Sequence, residues 1–199
     1  MNLPNSLTVT RIFLVPLLVV VLLTKFEGRQ ILGVPKEFVG AAIFGLASLT
    51  DWLDGYLARR RKQITPLGQV IDPLADKLLT SAALISLVQM DLAQSWMVAV
   101  IIGREFAVTT LRSLAYARGV AMPASPLGKI KMVAQVVAIL SLILAHGQMR
   151  GFYLIGQGAL WIVVVTAIVS GADYFRRFND ILSPRVAEFR APRTDRKAG

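Results

Sequence analysis

Apolar residues along the chain are gathered into six long blocks separated by short polar stretches. About 20 mostly apolar helical residues are needed to cross the hydrocarbon core of a bilayer, and every block approaches or reaches that length. One such block is also typical of a buried core helix in a soluble protein, but six in succession are not. The pattern therefore predicts an all-α integral membrane protein with six transmembrane helices. The blocks lie at 5–24, 37–58, 70–90, 94–116, 129–146 and 152–174.

Composition agrees with this prediction and gives no sign of a second domain. The chain has 199 residues, of which 55% are hydrophobic and 17% are charged. It contains no cysteine, which excludes disulfides and thiolate metal ligands. The first block contains Pro16 and lacks a small-residue cleavage site, so we predict a retained helix rather than a signal peptide. We expect one transmembrane domain over 1–183 and a flexible basic cytoplasmic tail over 184–199.

The net charge of +10 is unevenly divided between the two sides that six spans would define. Fifteen Lys and Arg residues fall on one side and four on the other, and cytoplasmic loops carry such an excess. Both termini are therefore predicted to be cytoplasmic. No recognisable nucleic-acid-binding module accompanies the charge, so no nucleic-acid partner is expected. The fifteen lie in 59–69 and 112–128, at Lys129 and Lys131, and after residue 175.

Four aspartates lie within two of the apolar blocks, where ionisable residues are costly and usually functional or paired. Asp51 and Asp54 are spaced i, i+3 near the end of the second block. Asp72 and Asp76 are spaced i, i+4 at the start of the third. Each spacing puts a pair on one helix face, and the short connection between the blocks brings both faces to the same depth. Ion pairing with nearby basic residues would explain one or two of these acids, but not two matched faces.

Four carboxylates in one place repel one another unless cations share the site. Oxygen ligands favour Mg²⁺ or Mn²⁺, which commonly bridge carboxylates to substrate phosphates. Two such ions would neutralise a diphosphate and stabilise a displacement at phosphorus, while one carboxylate accepts a proton. Gly55 and Ala58 continue the face of Asp51 as small residues and leave room for a flat ligand. The acidic cluster therefore predicts a metal site that binds a diphosphate.

The spacing of these residues resembles, without departure, the signature of the CDP-alcohol phosphotransferase family. The signature has eight positions within 26 residues: Asp51-x2-Asp54-Gly55-x2-Ala58-Arg59-x8-Gly68-x3-Asp72-x3-Asp76. The resemblance implies a CDP-linked lipid donor, a hydroxyl acceptor, release of CMP, two metal ions and a homodimer. It implies that all four aspartates bind metal and that Asp76 is also the general base. The implied CDP-lipid contacts are Thr8, Asp51, Asp54, Gly55, Ala58, Arg59, Gly68 and Asp72.

Basic residues outside the signature indicate the second substrate. Cations beside a metal–diphosphate site need anionic partners, and a phosphorylated acceptor would provide one. The stretches GREFAVTTLR and LGKIK resemble those of the bacterial family members that form phosphatidylglycerophosphate. This implies phospholipid biosynthesis from CDP-diacylglycerol and sn-glycerol 3-phosphate, with the acceptor phosphate on Arg104, Arg112 and Lys129. Alternatively, Arg104 pairs with an internal acid, although the adjacent Glu105 is not expected to face the same way, and Lys129 serves only membrane orientation.

Two further alternatives stay open. The signature does not fix the acceptor, which could instead be inositol phosphate, serine or phosphatidylglycerol. An acidic cluster within a membrane also suits a divalent-cation transporter, but such proteins usually have inverted repeats and a site near the midplane. We therefore expect an enzyme in the cytoplasmic membrane, surrounded by membrane lipids, with its active site facing the cytoplasm.

Overall fold

The computed structural model describes residues 3–24, 30–31, 33–61, 66–117, 126–146 and 149–182. Within these ranges only the backbone is described for 3–9, 51–74, 76, 116–117, 126–127, 129 and 177–182. The predicted tail after residue 183 lies outside the described part of the chain.

Six helices account for most of the described residues, and each overlaps one of the six apolar blocks. The prediction of an all-α fold built from six helices is thereby confirmed. The helices are α1 (Leu3–Leu23), α2 (Lys36–Arg61), α3 (Pro66–Gln89), α4 (Ser95–Ala117), α5 (Pro126–His146) and α6 (Phe152–Leu182).

Helix ends depart from the apolar blocks where local chemistry, rather than hydropathy, sets the boundary. Both α3 and α5 begin at a proline, Pro66 and Pro126, a few residues before the apolar block. Proline suits the first helical position because its fixed φ is helical and its missing N–H would have no intrahelical partner. At its C-terminal end, α6 continues to Leu182, through a stretch after residue 174 in which charged and apolar residues are mixed.

A short hairpin joins α1 to α2, in a stretch for which the apolar pattern predicts only a connection. Its strands are β1 (Gln30–Ile31) and β2 (Val34–Pro35), paired antiparallel with Ile31 opposite Val34. Gly33 in the turn has a φ of 81°, a conformation open to glycine at no steric cost.

One helical segment in the described part of the chain, Phe152–Arg176, is both long and apolar enough to cross a membrane by itself, with a mean hydropathy of 2.1. Shorter apolar segments occur in α1, α3 and α5: Thr10–Leu23, Lys77–Gln89 and Ile130–His146. A candidate membrane helix is thus present, while six membrane spans and two cytoplasmic termini stay predictions.

Large apolar side chains are exposed on the outside of all six helices. A soluble monomer rarely exposes contiguous apolar patches larger than a few hundred Å². An outer surface that is apolar on every helix suits contact with lipid. One exposed side chain from each helix, in chain order, is Phe13, Leu46, Ile85, Phe106, Val133 and Leu154.

The core of the bundle lies where all six helices meet. The principal helix contacts are those of α5 with α6, α1 with α3, α4 with α6 and α1 with α2. Glycine allows close approach at two of these contacts: a Cβ on Gly156 of α6 would lie 2.7 Å from the Leu142 side chain of α5, and a Cβ on Gly40 of α2 would lie 2.6 Å from the Leu22 side chain of α1. Fully buried core side chains from the six helices include Leu18, Leu22, Phe44, Leu79, Leu87, Ile101, Ile139, Leu142 and Leu160.

A buried lysine ties the first two helices together at the end where α1 finishes. Lys36, the first residue of α2, donates hydrogen bonds from Nζ to the carbonyl oxygens of Leu22 at 2.9 Å and Thr24 at 3.2 Å. These carbonyls lie at the end of α1, where the last four C=O groups of a helix have no intrahelical partner. The lysine therefore caps α1 from α2.

Candidate active site

The four aspartates of the signature lie at matched positions on two helices that are in contact. Asp51 is ten residues before the end of α2 at Arg61, and Asp76 is ten residues after the start of α3 at Pro66. At 1.5 Å per residue, both lie about 15 Å along the helix from the connection. The backbone is helical at all four positions, as the spacing argument requires.

The side chains of the whole signature lie outside the described residues, so the predicted metal ligands stay predictions. Among the side chains that the structure does describe, no group of three or more His, Asp or Glu could hold a metal ion. The backbone places most of the other predicted contacts on the same two helices, with Gly55, Ala58 and Arg59 on α2 and Gly68 on α3. Thr8 lies on α1 and Lys129 in the first turn of α5.

On α4, which contacts α3, the side chain of Arg104 is held by α6 and by its own neighbour. Its Nε and Nη2 donate to Ser170 Oγ at 3.2 and 2.8 Å, and its Nη1 lies 3.4 Å from Glu105 Oε1. The Arg104 side chain is 12% exposed. The guanidinium is therefore largely enclosed and engaged through all three of its nitrogens.

Glu105 also pairs with Lys131 of α5, so one carboxylate serves two cations. The expectation that Glu105 cannot face the same way as Arg104 is wrong. Adjacent helical residues do point about 100° apart, but both side chains are long enough to bend toward the same junction. The alternative in which Arg104 pairs with an internal acid is the arrangement that the structure contains.

Arg112, two turns further along α4, has a different kind of partner. Its Nη2 donates to the hydroxyl of Tyr174 on α6 at 2.7 Å, and its Cζ lies 5.6 Å from the centre of that ring. Arg104 Cζ lies 6.0 Å from the same ring centre. Arg112 is exposed, whereas Arg104 is largely enclosed, and the described partner of Arg112 is neutral. The two arginines therefore share one aromatic ring but differ in how far their charge is compensated.

A third contact connects α4 to the acidic helix α3. Lys77, which follows Asp76 directly, donates from Nζ to Thr109 Oγ1, and that hydroxyl donates to the carbonyl of Glu105 at 2.8 Å. Polar contacts thus hold α4 to α3, α5 and α6. Helix α4, which carries both arginines, is therefore in contact with the helix that carries Asp72 and Asp76.

Sequence reasoning identified the two arginines but missed the residues that hold them. Ser170 and Tyr174 are spaced four apart, which places them on one face of α6, the helix whose described apolar segment is long enough to cross a membrane. Polar groups at helical spacing in such a helix are a usable signal. Lys131 stands out in the sequence as a topological charge and as part of LGKIK, but its pairing with Glu105 is not predicted from the sequence.

Comparison with known proteins identifies the class to which this fold and motif belong. The sequence matches the CDP-alcohol phosphatidyltransferase family over residues 1–169. The chain belongs to this family, which consists of membrane enzymes that depend on divalent metals. The resemblance drawn from the aspartate signature is thereby confirmed.

Several relatives that share most of the chain are named CDP-diacylglycerol–glycerol-3-phosphate 3-phosphatidyltransferase. The protein of that name from Bacillus subtilis is 46% identical over 185 residues, which cover 88% of this chain and 94% of the relative. The protein from Rickettsia prowazekii is 36% identical over 177 residues, covering 88% and 94%. The protein from Pseudomonas fluorescens is 34% identical over 182 residues, covering 88% and 89%.

Proposed function

We propose that this protein transfers a phosphatidyl group from CDP-diacylglycerol to sn-glycerol 3-phosphate, a step of phospholipid biosynthesis. The products are phosphatidylglycerophosphate and CMP. The observation that carries the proposal is the complete signature on α2 and α3, in a chain 46% identical to a relative named for this reaction. Arg104 and Arg112, the two basic residues described on α4, support an acceptor that carries a phosphate.

The reaction balances as a displacement at the phosphorus that carries the diacylglycerol. A hydroxyl oxygen of the acceptor forms a new P–O bond, and the P–O bond to CMP breaks with its electron pair on the leaving phosphate. We assign Asp76 as the base that takes the hydroxyl proton. The small residues Gly55 and Ala58 leave room for the cytidine, with Arg59 toward the diphosphate.

An oxygen-only set of four carboxylates at matched depth on two adjacent helices fits hard divalent cations. We assign Asp51, Asp54, Asp72 and Asp76 as ligands for two Mg²⁺ or Mn²⁺ ions. Such ions neutralise charge on a diphosphate and on the oxygens that attack and leave. Gly68, one turn before Asp72, and Thr8 complete the proposed donor site.

For the acceptor phosphate, the contacts of α4 favour a division of roles among the basic residues. Arg104 is engaged by Ser170 and Glu105. We therefore assign it a long-range electrostatic attraction for the acceptor phosphate rather than a direct contact with it. Arg112 is exposed and its described partner is uncharged, which leaves its charge for a phosphate. We assign the direct phosphate contacts to Arg112 and Lys129.

The location follows from the substrates and from the charge distribution. CDP-diacylglycerol is a membrane lipid, whereas glycerol 3-phosphate is a soluble anion, so the site must open to both phases. We propose six spans with both termini in the cytoplasm, an active site facing the cytoplasm of the cell membrane, and a homodimer.

The direct test is turnover by the purified protein in lipid vesicles with Mg²⁺ or Mn²⁺. With CDP-diacylglycerol and labelled sn-glycerol 3-phosphate, we expect release of CMP and label in the lipid fraction in equal amounts. Release of no CMP would refute the enzyme. CMP release only with serine, inositol phosphate or phosphatidylglycerol would retain the reaction class and correct the acceptor. Divalent-cation uptake without CMP release would indicate a transporter.

A further inference from the structure

The side chain of Tyr174 faces into the bundle at a place where its neighbour faces out. Tyr174 is 3% exposed, whereas the adjacent Phe175 is 56% exposed. A buried tyrosine hydroxyl needs a polar partner, since leaving it without one costs free energy. That partner is Arg112, at 2.7 Å.

Two arginines of one helix converge on this tyrosine. Arg104 and Arg112 are separated by eight residues of α4, which is about 12 Å along the helix axis. Both Cζ atoms nevertheless lie within 6.0 Å of the Tyr174 ring centre. The electron-rich face of an aromatic ring attracts guanidinium groups, so the ring can hold both cations on one side of α4.

The two arginines depend on Tyr174 to different degrees. Arg104 is also fixed by Ser170 and Glu105. For Arg112, the hydroxyl and ring of Tyr174 are the contacts that the described residues provide. An exposed arginine has many rotamers, and holding it in one of them before a ligand binds removes an ordering cost from binding.

The chemical type of the partner matters as much as the contact. A carboxylate, such as Glu105 beside Arg104, neutralises the guanidinium that it orients. A phenol orients the guanidinium and leaves its full positive charge. Only the second arrangement leaves a guanidinium both placed and charged for an incoming phosphate.

We propose that Tyr174 is a positioning residue for the acceptor substrate, which holds Arg112 so that it binds the phosphate of glycerol 3-phosphate. The inference rests on the function proposed above and adds to it a residue outside the signature. Tyr174 acts through Arg112, and its loss changes acceptor affinity more than the chemical step.

Three variants separate the parts of this role. Tyr174→Phe keeps the ring and removes the hydrogen bond, whereas Tyr174→Leu removes both. Phe175→Leu removes the neighbouring outward-facing ring and is the matched control. All three are compared with the wild-type protein in vesicles, with the concentrations of the two substrates varied independently and thermal unfolding recorded for each protein.

We expect Tyr174→Phe to raise the KM for glycerol 3-phosphate by about five-fold, the effect of one lost hydrogen bond. Tyr174→Leu should raise it by about thirty-fold, since the attraction of the ring is lost as well. In both variants kcat and the KM for CDP-diacylglycerol should stay close to the wild-type values, and Phe175→Leu should change neither KM.

An unchanged KM for glycerol 3-phosphate in Tyr174→Phe and Tyr174→Leu, with wild-type turnover intact, would overturn this inference alone. Equal increases in both KM values, or a fall in kcat with lower unfolding temperature, would make Tyr174 a structural residue and also overturn it. If Tyr174→Leu does not fold, Tyr174→Phe decides the question. Wild-type protein that releases no CMP would instead refute the proposed function and this inference with it.

Discussion

Individual charges inside this bundle are satisfied in two ways, and the difference decides what each residue can do. Arg104 and Lys131 share the carboxylate of Glu105, so much of their charge is compensated within the protein. Removing one partner of such a buried group is strongly destabilising, because the others are left uncompensated. Arg112 is oriented by a neutral hydroxyl and keeps its charge. The first arrangement ties α4 to α5, and the second is suited to substrate binding.

Asp76 is predicted to act twice, as a metal ligand and as the general base. In Asp76→Asn we expect CMP release to fall by about 100-fold or more, because the amide cannot accept the proton. Binding of CDP-diacylglycerol should fall less, since three aspartates remain. Turnover and binding are measured on the same vesicle preparation.

Asp91 offers a matched control for that variant. It is exposed at the other end of α3 and has a φ of 59°, a conformation that asparagine also tolerates. Asp91→Asn should leave turnover unchanged. Substantial CMP release by Asp76→Asn would exclude Asp76 as the base.

At this scale, the acidic signature can be read from the sequence, whereas the contacts that hold the two arginines of α4 can be predicted only in part. An aspartate in an apolar block is conspicuous, and a pair of them at helical spacing has few structural explanations. Tyr174 is not conspicuous, because an aromatic residue in an apolar helix is usually a packing residue. Its role depends on which residues of α4 lie across from it, and hydropathy along one helix carries no information about the neighbouring helix.

At the scale of the helices, close approach depends on a few glycines. Gly156 of α6 packs against Leu142 of α5, where an added Cβ would lie 2.7 Å from the leucine side chain and 3.1 Å from its backbone nitrogen. Gly158, two residues later on the same helix, has open space at that position. The first glycine is required by packing, whereas the second is not.

Gly156→Ala should therefore lower the free energy of unfolding by about 1–3 kcal/mol, because the α5–α6 contact must open. Gly158→Ala should be neutral or stabilising by up to about 1 kcal/mol, since alanine favours the helix over glycine. Both are measured by unfolding of the purified protein in detergent. Equal effects of the two substitutions would contradict this account of the α5–α6 contact.

The number and order of the helices were predictable because burial and lipid contact both select long apolar blocks. The starts at Pro66 and Pro126 follow a known proline preference, which hydropathy alone does not use. The hairpin of β1 and β2 has strands of two residues each, too short for an alternating pattern. The last turns of α6 mix two arginines, Asn179 and Asp180 with apolar residues, so their mean hydropathy is too low to extend the apolar block.

For the molecule as a whole, the excess of basic residues on one side predicts its orientation in the membrane. The chain has no cysteine, so single cysteines can report on each side without a background. Gln94→Cys, in the exposed connection between α3 and α4, should react with a membrane-impermeant maleimide in intact spheroplasts. Ser183→Cys, just after α6, should react only after lysis.

The outcome of this labelling experiment also bears on the active site. The reverse labelling pattern would place the connection between α2 and α3 outside the cell and contradict a site that takes glycerol 3-phosphate from the cytoplasm. Six spans put both termini on one side of the membrane and the α3–α4 connection on the other side. Labelling of both cysteines in intact spheroplasts would therefore contradict six spans.

The cap formed by Lys36 on α1 has a consequence for biogenesis. Its hydrogen bonds to Leu22 and Thr24 lie entirely within the part of the chain that ends with α2 at Arg61. A nascent chain can therefore complete this helical hairpin before α3 leaves the ribosome. The lysine charge would then be inserted already bonded to carbonyl groups at the negative end of a helix dipole. Helix α3, with the proposed metal ligands Asp72 and Asp76, would dock onto a preassembled partner that already carries Asp51 and Asp54.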